Sequence, residues 1–370
     1  MKKLLIASAV SAAIAAPATA LAQQARVPNL SQVLDASGIS VNGYIDAAYS
    51  WANKNQQPPT GFTDRVFDQQ NNSFSLHQFG LTVAKQPKEG FGGLVNITVG
   101  QDAQFLHSFP EASGPGSSSF DITQAYGSYS SGALTLIGGK FTTLAGTEVI
   151  ASSGNTTFSR SILFGAVPLT HTGVRASFAP SDSVTLYGGL NNGWDQLSDA
   201  NRNKTAEIGA TFSAKALTLT ASGYFGTDPA NPQTGAGANG ERDLIDVVAN
   251  FIVSNSFSLG AEILTFKQDL GATTVKYDGA ALYGTFMLNP KWRAVVRGEY
   301  FDDKNGFHFG TAQATKYYEG TLCVAFLPTS SVELRGEVRM DKASNSVFRD
   351  TDGSTSKSMA SLGLQGLYKF

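Results

Sequence analysis

Residues Val332 to Asp341 read V-E-L-R-G-E-V-R-M-D, so Val332, Leu334, Gly336, Val338 and Met340 share one side of an extended strand. Glu333, Arg335, Glu337, Arg339 and Asp341 share the other. Helical spacing would scatter these charges around an axis; only a period of two separates them. Such a strand has one wholly apolar and one wholly ionic face. A soluble sheet could bury the first and wet the second, so the rest of the chain must decide where the apolar face points.

The two ends of the chain narrow that choice. Met1-Lys2-Lys3, a small-apolar run from Leu4 to Ala16 and the A-x-A triplet Ala20-Leu21-Ala22 before Gln23-Gln24 form a secretory leader, expected to be cut after Ala22. The run is Ala-rich and shorter than the roughly 20 residues a spanning helix needs. No Cys follows the cut, so no lipid anchor is expected there, and the lone Cys323 cannot form an internal disulfide. The formal net charge of −2 carries no sign of nucleic-acid binding. Beyond the leader no apolar run is long enough to cross a membrane as a helix. The chain nevertheless ends in the alternating strand Leu362-Gly363-Leu364-Gln365-Gly366-Leu367-Tyr368-Lys369-Phe370. Its aromatic last residue is the kind of ending that the outer-membrane assembly machinery recognises.

From residue 38 onward, strand-like segments are separated alternately by short turns and long polar loops. The turns fall at 86–90, 130–132, 180–183, 213–215, 254–256, 289–291 and 328–331. The loops fall near 54–72, 102–118, 143–168, 192–203, 227–241, 268–273, 303–313 and 342–357. Seven turns and eight loops give about sixteen strands, an even number with short periplasmic turns and long extracellular loops. The expected fold is therefore all-β, a transmembrane antiparallel β-barrel over 38–370. A short periplasmic segment at 23–37, with one or two helical turns near Pro28–Asp35, precedes it. Apolar sets such as Val41, Gly43, Ile45, Ala47, Tyr49 and Trp51 alternate with Asn42, Tyr44, Asp46, Ala48 and Ser50, and several end in aromatics, as membrane-interface girdles require. Segments 119–131 and 133–142 fit either parity, and Leu282 and Phe286 fall on the polar side of their strand. Lipid offers no hydrogen bonds, so the sheet must close, and sixteen strands enclose water rather than a packed core.

In a water-filled barrel the inward face sets what passes. Parity turns Arg175, Arg293, Arg297, Arg335, Arg339, Glu207, Glu299, Glu333 and Glu337 inward, as pore-lining charges or as ion pairs that satisfy one another. Loop 143–168 carries Val149, Ile150, Phe158, Ile162, Leu163 and Phe164, too apolar for free solvation. Folded into the barrel, it would narrow the channel with Glu148 and Arg160 as constriction charges. The alternative is packing across the mouth or against a neighbouring subunit.

Gly138-Gly139-Lys140-Phe141, Gly146-Thr147-Glu148, Phe158-Ser159-Arg160-Ser161, Pro168-Leu169-Thr170-His171-Thr172-Gly173-Val174-Arg175 and Asn192-Gly193-Trp194-Asp195 together resemble the beta-barrel porins of the OmpL-like family. The resemblance runs from Gly43-Tyr44-Ile45-Asp46 to Phe370 and is densest between 138 and 204. It implies an outer-membrane porin for passive diffusion of small hydrophilic solutes or ions, with lipid and solutes as partners, no cofactor, and homotrimers by family analogy. A substrate-selective channel for sugar, amino acid or anion is the alternative. A barrel hydrolase would need Ser and His in reach of each other. Of His77, His107, His171 and His308, only His171 is flanked by hydroxyls, and parity sends it to the lumen, while His308 beside Asp302 and Asp303 is the candidate for an omptin-like rim site. Asp350-Thr351-Asp352-Gly353 lacks the later Glu of an EF-hand and reads as a polar turn.

Overall fold

Alternation that turns one face of every strand to lipid leaves the chain a single way to satisfy its backbone, and the computed structural model adopts it. The structure describes residues 29–54, 64–232 and 234–370, and the expected leader at 1–22 lies outside them. Sixteen antiparallel strands form one closed barrel. The first eight are β1 (Ser40–Ala52), β2 (Ser73–Lys85), β3 (Gly90–Val99), β4 (Phe120–Ser131), β5 (Leu134–Thr142), β6 (Thr170–Ser181), β7 (Val184–Asn191) and β8 (Thr205–Ser213). There follow β9 (Leu217–Asn231), β10 (Ala236–Ser254), β11 (Phe257–Asp269), β12 (Thr274–Asn289), β13 (Trp292–Asp303), β14 (Thr315–Phe326) and β15 (Val332–Ala343). A small hairpin of β16 (Phe348–Arg349) and β17 (Thr355–Ser356) stands in the last loop, and β18 (Ser358–Lys369) completes the wall. Its turn is closed by Asp350 and Asp352 accepting the Thr351 and Ser354 amides at 2.8 Å, the polar turn expected there.

Closure joins β1 to β18, in register from Tyr44 opposite Lys369 to Ala52 opposite Ser361. Gly43 and Phe370 exchange both backbone hydrogen bonds at 2.9 Å, so no edge remains at the chain end. Twelve residues of β18 span roughly 40 Å along the strand, enough at a tilt of about 45° to cross the ~25 Å apolar band of such a barrel. On β15 the parity is the one the sequence dictates: Leu334, Val338 and Met340 are exposed, and Glu333, Arg335, Glu337, Arg339 and Asp341 are buried inside.

Two features of the sequence pattern resolve differently. Segment 119–131 fits either parity because β4 uses both. A bulge lets Asn96 face Gln124 while Ile97 faces Ile122. Phe120 and Ile122 point outward before it and Tyr129 after it. On β12 the apolar content misleads: Leu282 and Phe286 are exposed to the outside, while Tyr277, Ala281 and Tyr283 point inward and are buried. The inner face of this strand is aromatic, so polarity alone picked the wrong side.

The loop expected at 227–241 is mostly strand, because β9 and β10 stay paired from Thr227–Glu241 out to Asn231–Ala236 across a register shift. Pro229 and the glycines in this stretch read as coil. The shift accommodates the missing Pro amide, and Arg242 donates to the Pro229 and Ala230 carbonyls at 3.2 and 3.1 Å, holding the extension. The connection near 268–273 likewise shrinks, with β11 ending at Asp269 and β12 starting at Thr274.

Before β1, helix α1 (Leu30–Ser37) lies at the short-turn end. The Asn29 amide donates to Gln32 Oε1 at 3.0 Å and the Gln32 amide to Asn29 Oδ1 at 2.9 Å, a reciprocal cap of the first turn. Gly38, at φ +67°, ends the helix in the left-handed conformation that glycine adopts freely.

Leu364, near the middle of β18, is 62% exposed on the outer face. Leu364→Arg should destabilise the folded barrel by about 2–4 kcal/mol in lipid. Lysine at Thr211, an inward half-buried position, should cost much less. Denaturant titration in vesicles checks the pair, and equal costs would refute the facing.

Candidate functional site

The bulge in β2 is the first element of the interior site. Asp46 pairs with Gln78 and Ala47 with Leu76, so His77 is the extra residue, and His77 and Gln78 are both buried inward. Both bind Asp102, on the loop after β3: His77 Nδ1 lies 3.0 Å from Oδ1, and Gln78 Nε2 donates to Oδ2 at 2.8 Å. Gln78 also receives the Tyr44 hydroxyl at 2.6 Å and the Ser152 amide at 3.0 Å, and it donates to the Ile150 carbonyl at 3.1 Å. One bulge thus ties two loops to the wall.

The segment between β5 and β6 makes such contacts around most of the interior. The Leu144 amide donates to the Tyr224 hydroxyl of β9, Gly146 to Asp246 of β10 and Thr147 to Glu262 of β11, at 2.8 to 2.9 Å. Farther along, the Phe158 and Ser159 amides donate to Glu337 of β15 at 2.7 and 3.0 Å, and Leu163 to Glu299 of β13 at 3.2 Å. The Tyr277 hydroxyl of β12 donates to the Ala166 carbonyl at 2.7 Å. Apolar packing accompanies these bonds. Ile162, Leu163, Ala166 and Val167 join Leu264, Phe266, Tyr277, Tyr283 and Phe301 of the inner wall in one buried cluster. The short helix α2 (Ile162–Gly165) presents them, capped by Ser161 Oγ accepting the Phe164 amide at 2.9 Å. Two glycines receive the knobs: a Cβ on Gly363 would lie 2.3 Å from the Phe158 ring, and one on Gly279 3.0 Å from Leu163.

The charges expected to line the pore all lie inside the barrel, but most are covered. Arg297 donates to Glu148 at 2.7 Å, to the Ser159 carbonyl at 2.9 Å and to Glu319 at 3.2 Å, and Glu299 lies 3.3 Å away. Arg335 donates to Glu333 at 2.6 Å and to the Asn155 and Thr157 carbonyls at 2.6 and 2.9 Å. Arg339 donates to Asp341 at 2.8 Å and to the Arg160 carbonyl at 2.6 Å. The ionic face of β15 is thus a rail on which residues 155–160 are docked, rather than a ladder bathed in water. Arg160 turns its guanidinium back onto its own segment, donating to the Val149, Phe158 and Ile150 carbonyls at 2.8 to 3.1 Å, and is 2% exposed. Arg175, paired with Glu207, and Arg293, paired with Glu333, keep more of their side chains accessible, 10% and 13%.

Sequence reasoning did not single out Gln78, Asp246, Glu262, Tyr224 or Tyr277, which hold the segment, or Asp102, which holds Gln78. Parity places Asp246 and Glu262 inward, but nothing local says that a distant segment supplies their donors. His171 is buried in the lumen as parity predicts, stacked on Tyr224 at 4.7 Å, with Nδ1 3.1 Å from the Gly193 carbonyl. Among the described residues no hydroxyl is hydrogen-bonded to an imidazole, and no His, Cys, Asp and Glu group is arranged to hold a metal.

A closed sixteen-strand barrel with an apolar outer face, a polar inner face and a long segment bonded to that inner face is the architecture of an outer-membrane porin. The chain belongs to the family described as "Putative beta-barrel porin-2, OmpL-like", whose model matches residues 38–370. This is a family of channels, not enzymes, which sets the hydrolase reading aside. No curated protein sequence matches the chain. Among solved structures, OprB of Pseudomonas putida is similar at a TM-score of 0.63 and 17% identity, covering 92% of this chain and 96% of that one. The outer-membrane channel DcaP of Acinetobacter baumannii gives 0.62 and 15%, covering 90% and 97%. OmpT of Vibrio cholerae in its trimer form gives 0.59 and 13%, covering 90% and 99%.

Arg297→Gln leaves Glu148, Glu299 and Glu319 without their shared cation, and should cost about 3–5 kcal/mol. Gly363→Val should dislodge Phe158. Both variants should expose residues 146–160 to limited proteolysis in the folded barrel, and protection equal to wild type would refute these contacts as anchors.

Asp195, in the connection after β7, accepts the Leu169 and Thr170 amides at 3.0 and 2.8 Å, yet burial pushes its carboxyl up to about 6. The native state keeps this proton where an unfolded Asp, titrating near pH 3.9, has lost it. Its contribution to stability therefore declines as pH rises from about 4 to 6 and is flat above. Asp195→Asn keeps an oxygen acceptor and should flatten thermal stability across that interval; an unchanged profile would refute the assignment.

Proposed function

We propose that this porin passes small hydrophilic solutes or ions by passive diffusion, with segment 143–168 as the element that narrows its lumen. In this reading a leader cut after Ala22 directs export. Residues 23–37 and the short turns lie on the periplasmic side and the long loops outside. The exposed aromatic Phe370 at the end of the closing strand suits recognition by the assembly machinery. The trimer form of the similar OmpT supports a homotrimer.

The observation that carries the reading is the bonding of the segment to inward side chains from β2 to β15. Such a segment divides the lumen and cannot swing freely out of it. Glu148 and Arg160 act in this proposal mainly by shaping the segment, since both are engaged by neighbouring donors and carbonyls. The passage runs past Val149, which is 47% exposed, and past Arg175 and Arg293, the most accessible of the expected charges.

Stepwise ohmic conductance of the purified protein in planar bilayers is the expected result, and its absence would overturn the porin reading. Val149→Arg should lower the conductance and move the reversal potential under a salt gradient towards anions. Wild-type values would take Val149 off the passage.

A further inference from the structure

On the long-loop side of the segment lies a cavity of about 500 Å³, within the roughly 300–1,000 Å³ range of small-molecule sites. Ile162, Gly165 and Val167 of the segment form part of its lining, and Trp194, Phe266, Tyr277, Phe307 and Phe309 give it an aromatic wall beside Arg242. Phe266 stacks on Tyr277 with centroids 4.2 Å apart, and Trp194 meets Phe266 edge-on at 5.5 Å. The Arg242 guanidinium lies 5.0 Å from the Trp194 ring and 5.6 Å from that of Phe266.

Two buried donors in this wall have no partner among the described residues, the Arg242 Nε–H and the Trp194 Nε1–H. Among the described residues Arg242 donates only to neutral acceptors, the Pro229 and Ala230 carbonyls and Gln268 Oε1, while the nearby Asp228 carboxylate, whose charge acts on it, accepts from the Trp194 amide and Gln196 instead. Among the other buried arginines, Arg65, Arg297, Arg335 and Arg339 each hold a carboxylate, and Arg160 donates from Nε, Nη1 and Nη2 to backbone carbonyls, so that Arg242 differs from Arg160 in its unpartnered Nε–H. A buried cation and a buried indole, each with one N–H unpartnered beside a cavity, suit an anionic acceptor. The cavity's own acids do not supply it. Asp195 is engaged by two amides, and Asp64 lies 3.9 Å from Arg339. Burial, then the neighbouring Asp341, pushes the Asp64 carboxyl up to about 8, which leaves it largely protonated at neutral pH.

We propose that this cavity binds small aromatic carboxylates, with the ring against the aromatic wall and the carboxylate accepting from Arg242 Nε and Trp194 Nε1. The site names a solute class for the proposed channel and takes its biological meaning from that reading.

Titration calorimetry on the full chain in detergent, with benzoate, acetate and benzylamine as probes, tests it. Saturable benzoate binding, with acetate and benzylamine silent at the same concentrations, is expected. Trp194→Phe keeps the ring and removes the donor, and Phe307→Ala removes part of the wall from a loop; each should weaken benzoate roughly tenfold or more. Heat-modifiable gel mobility confirms that each variant is folded, and either folded variant suffices for the comparison. No benzoate binding, equal binding of acetate, preference for benzylamine, or unchanged affinity in the folded variants overturns the site. Bilayer conductance without benzoate binding removes the site and leaves the porin reading, whereas binding without conductance removes the porin reading and leaves the site.

Discussion

Backbone amides and carbonyls find no partner in lipid, and this single constraint organises the molecule. It requires the seam between β1 and β18, where Gly43 and Phe370 exchange hydrogen bonds at the point where an open sheet would fray. Once the seam is made, every strand has a lipid side and a lumen side, and the alternation of side chains follows from the pleat. Ile263, Leu282, Val338 and Leu364 can remain exposed because lipid, not water, receives them.

A closed wall of this size leaves an interior too wide for its own side chains to fill. Here the segment between β5 and β6 supplies the missing matter. Its backbone amides meet inward carboxylates and the Tyr224 hydroxyl, its Ala166 carbonyl accepts from the Tyr277 hydroxyl, and its apolar residues meet an aromatic stripe on β11 to β13. Buried charges such as Arg297 and Glu337 are tolerable because each is satisfied by an opposite charge or by backbone. The network thereby exchanges freedom of the segment for a fixed division of the lumen. The side chains left accessible, Val149 among them, are those the proposed passage runs past.

Much of this was legible from periodicity. The strand count, the alternation of turns and loops, the inward set on β15 and the helical turns before β1 all follow from local pattern. What periodicity left open and what it misread share a cause. On β4 a bulge changes parity within one strand, and such an insertion is set by the partner's register, which a single strand does not reveal. On β12 the inner face is aromatic because it packs against Leu163 and Val167 from a distant segment, so its polarity says nothing about its direction. The extension of β9 and β10 through Pro229 depends on bonds from Arg242 across the hairpin.

The sequence by itself determined that this chain must be a barrel in a membrane, because strands apolar on one side and charged on the other, recurring between alternating short and long connections, have no other stable arrangement in lipid. Which charges meet water was decided only by the tertiary structure. Parity assigns a side chain to the lumen, but the lumen is shared with residues more than a hundred positions away. Glu337 could be a pore wall or an anchor for the Phe158 and Ser159 amides, and the folded segment makes it the anchor.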